Sequence, residues 1–299
     1  MSRNGFSFRI WCVFLAVLIM AGLIFTGCRP AAEKRSGEPE LKGGASVTDE
    51  DGKNKLSEQE GNEMEQRGVE EGALAKGVKL QYLGHACFLI EIDGFRILTD
   101  PYSPETGYGT LDLQAELITV SHEHEDHNYT AAAPGAQVVR GLTPDALGWE
   151  DVSLSVGNLH VTGLATYHDG TAGKSRGRNT AFIFETGDLR LVHLGDLGHL
   201  LNKGDIERLR PVNILFIPVG GYYTIDAREA KQVVEQLAPA VVIPMHYKTR
   251  ATRNWPISEL KPFLEGEKKV INKGAKPVTV TREELPESTE IWVMEPAKL

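Results

Sequence analysis

The chain is poor in cysteine, with three in 299 residues, Cys12, Cys28 and Cys87, and no Cys-x-x-Cys pair. A thiolate zinc knuckle and a disulfide scaffold are therefore excluded. Cys87 lies in the apolar run ACFLIEI and reads as a small buried hydrophobe. Positive charge is also short: 32 Lys and Arg against 41 Asp and Glu leave a net charge of -9. Nucleic acid is not the expected partner, because phosphate binding needs a concentrated basic face. No P-loop, no Ser-His-Asp signature and no repeat of fixed period is found. What remains is a chain of ordinary globular composition, 41% apolar and 24% charged, long enough for one or two domains.

The run IWCVFLAVLIMAGLIF follows Arg3 and Arg9 and precedes Thr26-Gly27-Cys28. A basic start, an apolar centre and small residues before a break describe a secretory signal. FTGC resembles a bacterial lipobox, so residues 1–27 are expected to be a signal peptide and Cys28 a lipidated residue. The alternative is an uncleaved single transmembrane anchor. Either places the bulk of the chain outside the cytoplasmic membrane. Residues 28–76 are mostly Glu, Lys, Gly and Ser, too few of them apolar to offset the entropy of ordering, and read as a flexible linker.

Folded sequence is expected over 77–299. GVKLQYLGHACFLIEIDGFRILTDP alternates β-rich runs with the turn signal Asp93-Gly94. ELITVS, NLHVTGLATYH, TAFIFET, LRLVHLGD, NILFIPV and AVVIPMH read as further strands. Ala227, Ala230, Val233, Val234 and Leu237 recur at helical spacing behind an N-cap at Asp226, which predicts a helix packed on a sheet. Strands and helices in this proportion suggest an α/β domain with layered sheets. Four of the strands end in a His or Asp able to bind a metal, and strand ends are where rigid scaffolds place chemistry.

The densest feature is SHEHEDH, residues 121–127. In an extended stretch residues i and i+2 share a side, so His122 and His124 can reach one ion together. If the chain then turns into a helix near Asp126, that carboxylate and His127 are redirected to a second position nearby. Imidazole and carboxylate suit Zn2+ and also tolerate Mn2+ or Fe2+. Glu123 and Glu125 alternate away from the histidines.

YLGHACFLIE, ILTDPY, SHEHEDHNY, YHDG, HLGDLGH, PVGGYYTIDAREA and IPMHYKT, in this order over residues 77 to 282, resemble the metallo-β-lactamase-fold hydrolases, most closely the ascorbate-6-phosphate lactonase-like branch. The resemblance implies an αββα four-layer sandwich with two divalent metal ions at one edge. It implies His122, His124 and His168 on the first ion, Asp126, His127 and His246 on the second, Asp196 bridging them, and Asp100 buttressing the loop. Two ions about 3.5–4 Å apart lower the pKa of a shared water to about 7. The expected activity is therefore attack by a metal-bridging hydroxide on a small-molecule ester, lactone, amide or phosphodiester. Asp126 or a nearby histidine is the expected proton carrier; His85 and His199 are further candidates for the cleft, while His160 and His193 read as structural. The basic run GKSRGRN puts Lys174, Arg176 and Arg178 near His168, either as an anion-binding edge or as a solvated loop. The alternatives to a hydrolase are a non-catalytic metal-binding lipoprotein and an iron redox site, the latter disfavoured by His124 standing where that branch has glutamate. EIWVMEP, beyond the resemblance, is expected to add an edge strand.

Overall fold

A computed structural model describes residues 77–187 and 189–297. The signal peptide, Cys28 and the linker expected over 1–76 lie outside the described residues. Among the described residues no helix is long and apolar enough to cross a membrane.

The first three strands, β1 (Val78–Gly84), β2 (Cys87–Ile92) and β3 (Phe95–Thr99), form an antiparallel meander. The turn between β2 and β3 is Asp93 (φ 51) and Gly94 (φ 83), both left-handed, as a two-residue hairpin loop requires. Next come β4 (Leu117–Val120) and β5 (Gln137–Arg140), parallel to β3, while β13 (Val278–Val280) pairs with β1 and completes a six-stranded sheet.

The second sheet begins as an antiparallel run of β6 (Ser153–Val156), β7 (Leu159–Tyr167), β8 (Arg178–Thr186) and β9 (Leu189–His193). It continues in parallel through β10 (Ile214–Pro218), β11 (Val241–Met245), β14 (Glu290–Met294) and β12 (Val270–Gly274), giving eight strands. The expected edge strand is thus an interior one: β14 lies between β11 and β12. Ile291 packs on one face of the sheet and Trp292 and Met294 on the other, and a strand covered on both faces belongs inside a sheet.

Strand alternation sorts the apolar residues into layers. Leu80, Phe88 and Ile90 meet Phe182, Phe184, Phe216 and Ile243 in one cluster between the sheets. The four phenylalanines are fully buried, each contributing about 1.5–3 kcal/mol. On β10 the intervening Leu215 and Ile217 point the other way, towards α1 (Lys203–Leu209), α2 (Ala227–Leu237) and α3 (Lys261–Leu264). Asp226 caps α2 as expected: its carboxylate accepts from the Glu229 N–H at 2.8 Å and Glu229 reciprocates at 3.0 Å.

The outer layer over the six-stranded sheet departs from the expected αββα order. Leu98, Ile118 and Val120 are covered by Tyr102, Leu111 and Ala132 from irregular chain and two 3₁₀ turns, Pro104–Thr106 and Thr130–Ala132. Pro101, Pro104, Gly107 and Gly109 fall within that chain, and both residue types oppose helix propagation.

Candidate metal centre

Six strands deliver polar residues to one place. His85 follows β1, Asp100 follows β3, Ser121 and His122 follow β4, His168 follows β7, Asp196 lies three residues beyond β9 and His246 follows β11. His85 (φ 56), Asp100 (φ 39) and His246 (φ 52) are left-handed, a conformation costing non-glycine residues about 1–3 kcal/mol that persists only where surrounding contacts enforce it. No helix forms near Asp126: beyond His122 the chain makes a single turn, closed by the His127 N–H on the His124 carbonyl at 2.9 Å, and this brings Asp126 and His127 back towards the histidines.

Asp196 is the hub. Its Oδ2 lies 3.1 Å from His246 Nε2, 3.2 Å from His168 Nε2, 3.3 Å from His127 Nε2 and 3.9 Å from His122 Nε2. Burial alone would raise this carboxyl, but His127 and His246 hold it well below the usual range. Two glycines make the approach possible. A Cβ on Gly195, itself at φ 54, would lie 2.4 Å from Asn179 Oδ1, and one on Gly198 would lie 2.3 Å from the His168 carbonyl carbon.

The other ring nitrogens decide which way the histidines face. His127 Nδ1 donates to Asp100 Oδ2 at 3.1 Å, and His168 Nδ1 donates to the Tyr223 carbonyl at 3.1 Å. Ser121 Oγ donates to Asp100 Oδ2 at 2.6 Å and so accepts from His122 Nδ1 at 2.9 Å. In all three rings Nδ1 is engaged and Nε2 faces Asp196, the orientation a metal ligand needs. Asp100, already used by Ser121 and His127, orients the ligand loop. His124 Nδ1 lies 3.0 Å from His122 Nε2. Burial lowers the pKa of both rings; His127 lowers that of His122 further, and His168 that of His124.

Three groups of donor atoms lie close enough to hold an ion: His122, His124 and His168; His85, Asp126, His127 and His246; and Asp100, His122 and His127, the last already tied together by the hydrogen bonds of Asp100 and Ser121. The fit is supported by two buried atoms at the hub with no hydrogen-bond partner among the described residues, His127 Nε2 and Asp196 Oδ1. His85 is fully buried and pushed down to about 4, first by burial and then by His246, so its neutral ring donates from Nε2 to Asp126 Oδ2 at 3.0 Å. It does not face the cleft. Burial opposes ionisation of Asp126, but His127 and His85 hold its carboxyl far below the ordinary range.

His199 is not brought to the site. Its Nδ1 donates to the Leu200 carbonyl at 2.9 Å and its Nε2 accepts from the Tyr167 N–H at 3.1 Å. His160 bonds Ser155, and His193 ties the sheets together, donating to the Ala86 carbonyl at 2.8 Å. Glu123 is paired with Arg140 at 2.7 Å and with Asn128, while Glu125 is exposed.

Sequence reasoning missed two buried organisers. Asn179, in β8, accepts from the Asp196 N–H at 2.9 Å and donates to Thr166 Oγ1 and the Leu194 carbonyl at 2.7 and 2.9 Å. Asn179 stands between Arg178 and Thr180 at the polar start of β8, where nothing in the sequence marks it out from turn residues. Asp169, next to His168, accepts five hydrogen bonds from Thr171, Gly173, Ser175 and Arg176. A cavity of about 800 Å³ opens above the hub, its lining including His124, Asp126, His168, Asp196 and His246 with Glu105, Glu125, Arg176, Tyr223 and Trp255.

The beta-lactamase superfamily domain matches residues 79–246, more than half of the chain. The chain belongs to the beta-lactamase superfamily. Within that superfamily it is 31% identical to a UPF0173 metal-dependent hydrolase of Pyrococcus abyssi, over 68% of this chain and 96% of that protein. It is 30% identical to another of Carboxydothermus hydrogenoformans, over 60% and 87%. A crystal structure from Thermotoga maritima, described as a Zn-dependent hydrolase of the metallo-beta-lactamase superfamily, superposes with a TM-score of 0.57 at 30% identity, covering 73% of this chain and 98% of that one. These matches support the superfamily and its two-sheet fold; the lactonase-like branch is not singled out among them.

Proposed function

We propose that the protein is a two-metal hydrolase, with His122, His124 and His168 on one divalent ion, Asp126, His127 and His246 on a second, and Asp196 shared. Metal-dependent hydrolysis accords with the superfamily and with relatives of that description. The finer reading is carried by one observation, a single carboxylate oxygen facing four imidazole Nε2 atoms. Bound there, divalent ions would activate water near neutral pH and polarise the substrate oxygen. A donor set of imidazole and carboxylate without thiolate favours Zn2+, with Mn2+ or Fe2+ next.

The chain's own residues supply orientation. Asp100, Ser121 and the Tyr223 carbonyl fix the histidine tautomers, and His85 holds Asp126. His124 and Asp126 face the cavity, leaving room for an ester, lactone, amide or phosphodiester above them. An 800 Å³ opening onto the donor atoms favours turnover over metal storage, which needs a closed site.

The test is a hydrolysis screen over ester, lactone, amide and phosphodiester panels with protein of measured metal content. Turnover of one class, lost on chelation and restored by Zn2+ or Mn2+, is expected. A metal-loaded protein inert across the panel would move the reading to metal binding alone. The basic start, the apolar run and Cys28 support a further part of the proposal, an extracytoplasmic domain held to the membrane by lipid. Membrane retention that survives Cys28→Ser would contradict it.

A further inference from the structure

Three basic residues follow His168 closely, and the fold gives them different surroundings. Lys174 is exposed. Arg178 opens β8 and lies over the Trp149 ring at 4.9 Å. Arg176 lines the cavity, and of the residues that line it Arg176 alone is Lys or Arg.

Its place in the cavity and its aromatic neighbours separate Arg176 from an ordinary surface arginine. Its guanidinium has no ion pair or hydrogen bond among the described residues, a state it shares with Arg210, Arg228, Arg250 and Arg253, but of these Arg176 alone lines the cavity. It lies beside two aromatic rings, 5.7 Å from the Tyr223 centroid and 6.0 Å from that of Tyr222, which limits its freedom without neutralising it. Its backbone is also pinned, since the Arg176 N–H donates to Asp169 Oδ2 at 2.7 Å.

Both supports lead back to one proposed metal ligand. Asp169 is the residue after His168, and the Tyr223 carbonyl accepts from His168 Nδ1 at 3.1 Å. The cation is therefore carried by the elements that hold His168, and its spacing from the hub is built into the fold. The lining also bears the exposed carboxylates Glu105 and Glu125, which repel an anion, so Arg176 is the one Lys or Arg of the lining able to hold it.

We propose that Arg176 determines specificity: the substrate carries a carboxylate or phosphate that docks on its guanidinium while the scissile group lies over Asp196 and the histidines. This rests on the hydrolase reading and narrows it to anionic substrates. A planar guanidinium matches either oxyanion bidentately.

The experiment uses metal-loaded full-length protein and matched esters whose acyl tails end in a carboxylate, a phosphate, a neutral isostere or a trimethylammonium group. Wild type should prefer one anionic tail, which also tells carboxylate from phosphate. Arg176→Ala should raise KM for that ester about tenfold to a hundredfold, the range for a lost charge-assisted hydrogen bond, with kcat and the neutral ester unchanged. Arg176→Lys should recover part of the loss, and Arg176→Glu should turn the preference towards the cationic ester. Arg228→Ala, an equal charge change on the exposed side of α2, should match wild type. Equal losses on neutral and anionic esters in Arg176→Ala would make the residue structural and overturn the proposal, as would a wild type without charge preference. Calorimetric titration with glutarate separates this from the hydrolase reading. If no ester is turned over, weaker glutarate binding in Arg176→Ala still upholds the anion site, and equal binding ends it.

Discussion

On the floor of the cavity, His122, His127 and His168 each have Nδ1 engaged and Nε2 turned to Asp196, whose own backbone is held by Asn179. On the wall above, Arg176 has a pinned backbone and an unpaired head group, and Tyr222 is 63% exposed. The floor binds its polar atoms to one another so that a fixed set of lone pairs converges. The wall leaves the Arg176 head group unmatched, as a surface must if something else is to match it. Chemistry shared across a superfamily needs the first arrangement, and substrate choice needs the second. Substitutions on the floor should therefore cost metal, turnover or stability, and those on the wall should cost selectivity.

The largest effect is expected at His124, a floor residue that faces the opening. His124→Ala should lose at least one metal equivalent per chain, read by elemental analysis, and about a thousandfold or more of hydrolysis, since the ion supplies several kcal/mol of transition-state stabilisation. Unchanged metal content would remove His124 from the ligand set and break the floor's account. Stability should change little, because His124 is exposed and its one hydrogen bond is to His122.

The floor was more legible in the sequence than its supports. His122, His124, Asp126 and His127 announce themselves because donor types recur at a spacing that one extended segment and one turn can bring together. His168, Asp196 and His246 were traceable because each follows an apolar strand. Asn179 was not singled out, since one Asn in a strand has no periodicity to reveal three buried hydrogen bonds. Asp169 looked like turn chemistry, which it is, but the turn also positions Arg176. Choosing among Lys174, Arg176 and Arg178 needed the point where β8 begins, because only Arg178 lies in the strand and the turn before it sets where the other two lie. The position of β14 was hidden for a related reason: sequence order does not say whether a late strand joins a sheet at its edge or inside it. Over the six-stranded sheet an expected helical layer gave way to prolines and glycines that were visible in the sequence but outweighed by the resemblance.

Asn179→Ala tests whether the floor is held by this polar network. The residue is fully buried, and its removal leaves the Asp196 N–H, the Leu194 carbonyl and Thr166 Oγ1 to find other partners. A loss of about 2–4 kcal/mol in denaturant unfolding is expected, because unsatisfied buried groups cost about 1–3 kcal/mol each and part of the cost relaxes. A loss below about 0.5 kcal/mol would mean that Asp196 is held without Asn179 and that the floor is less constrained than its hydrogen bonds imply.

The smallest effect is expected at Tyr222, where three contributions nearly cancel. Tyr222 sits at φ 60, and left-handed backbone costs a residue with a Cβ about 1–2 kcal/mol, which Tyr222→Gly removes. Against this, glycine makes the unfolded chain more flexible, costing about 0.5–1 kcal/mol. The edge-to-face contact with Tyr223, centroids 4.7 Å apart, is also lost, and such pairs contribute about 0.5–1.5 kcal/mol when buried, less for a ring this exposed. The denaturation midpoint should therefore stay within about 1 kcal/mol of wild type. A loss above 2 kcal/mol would show that the wall is packed as firmly as the floor, and the contrast between them would fall.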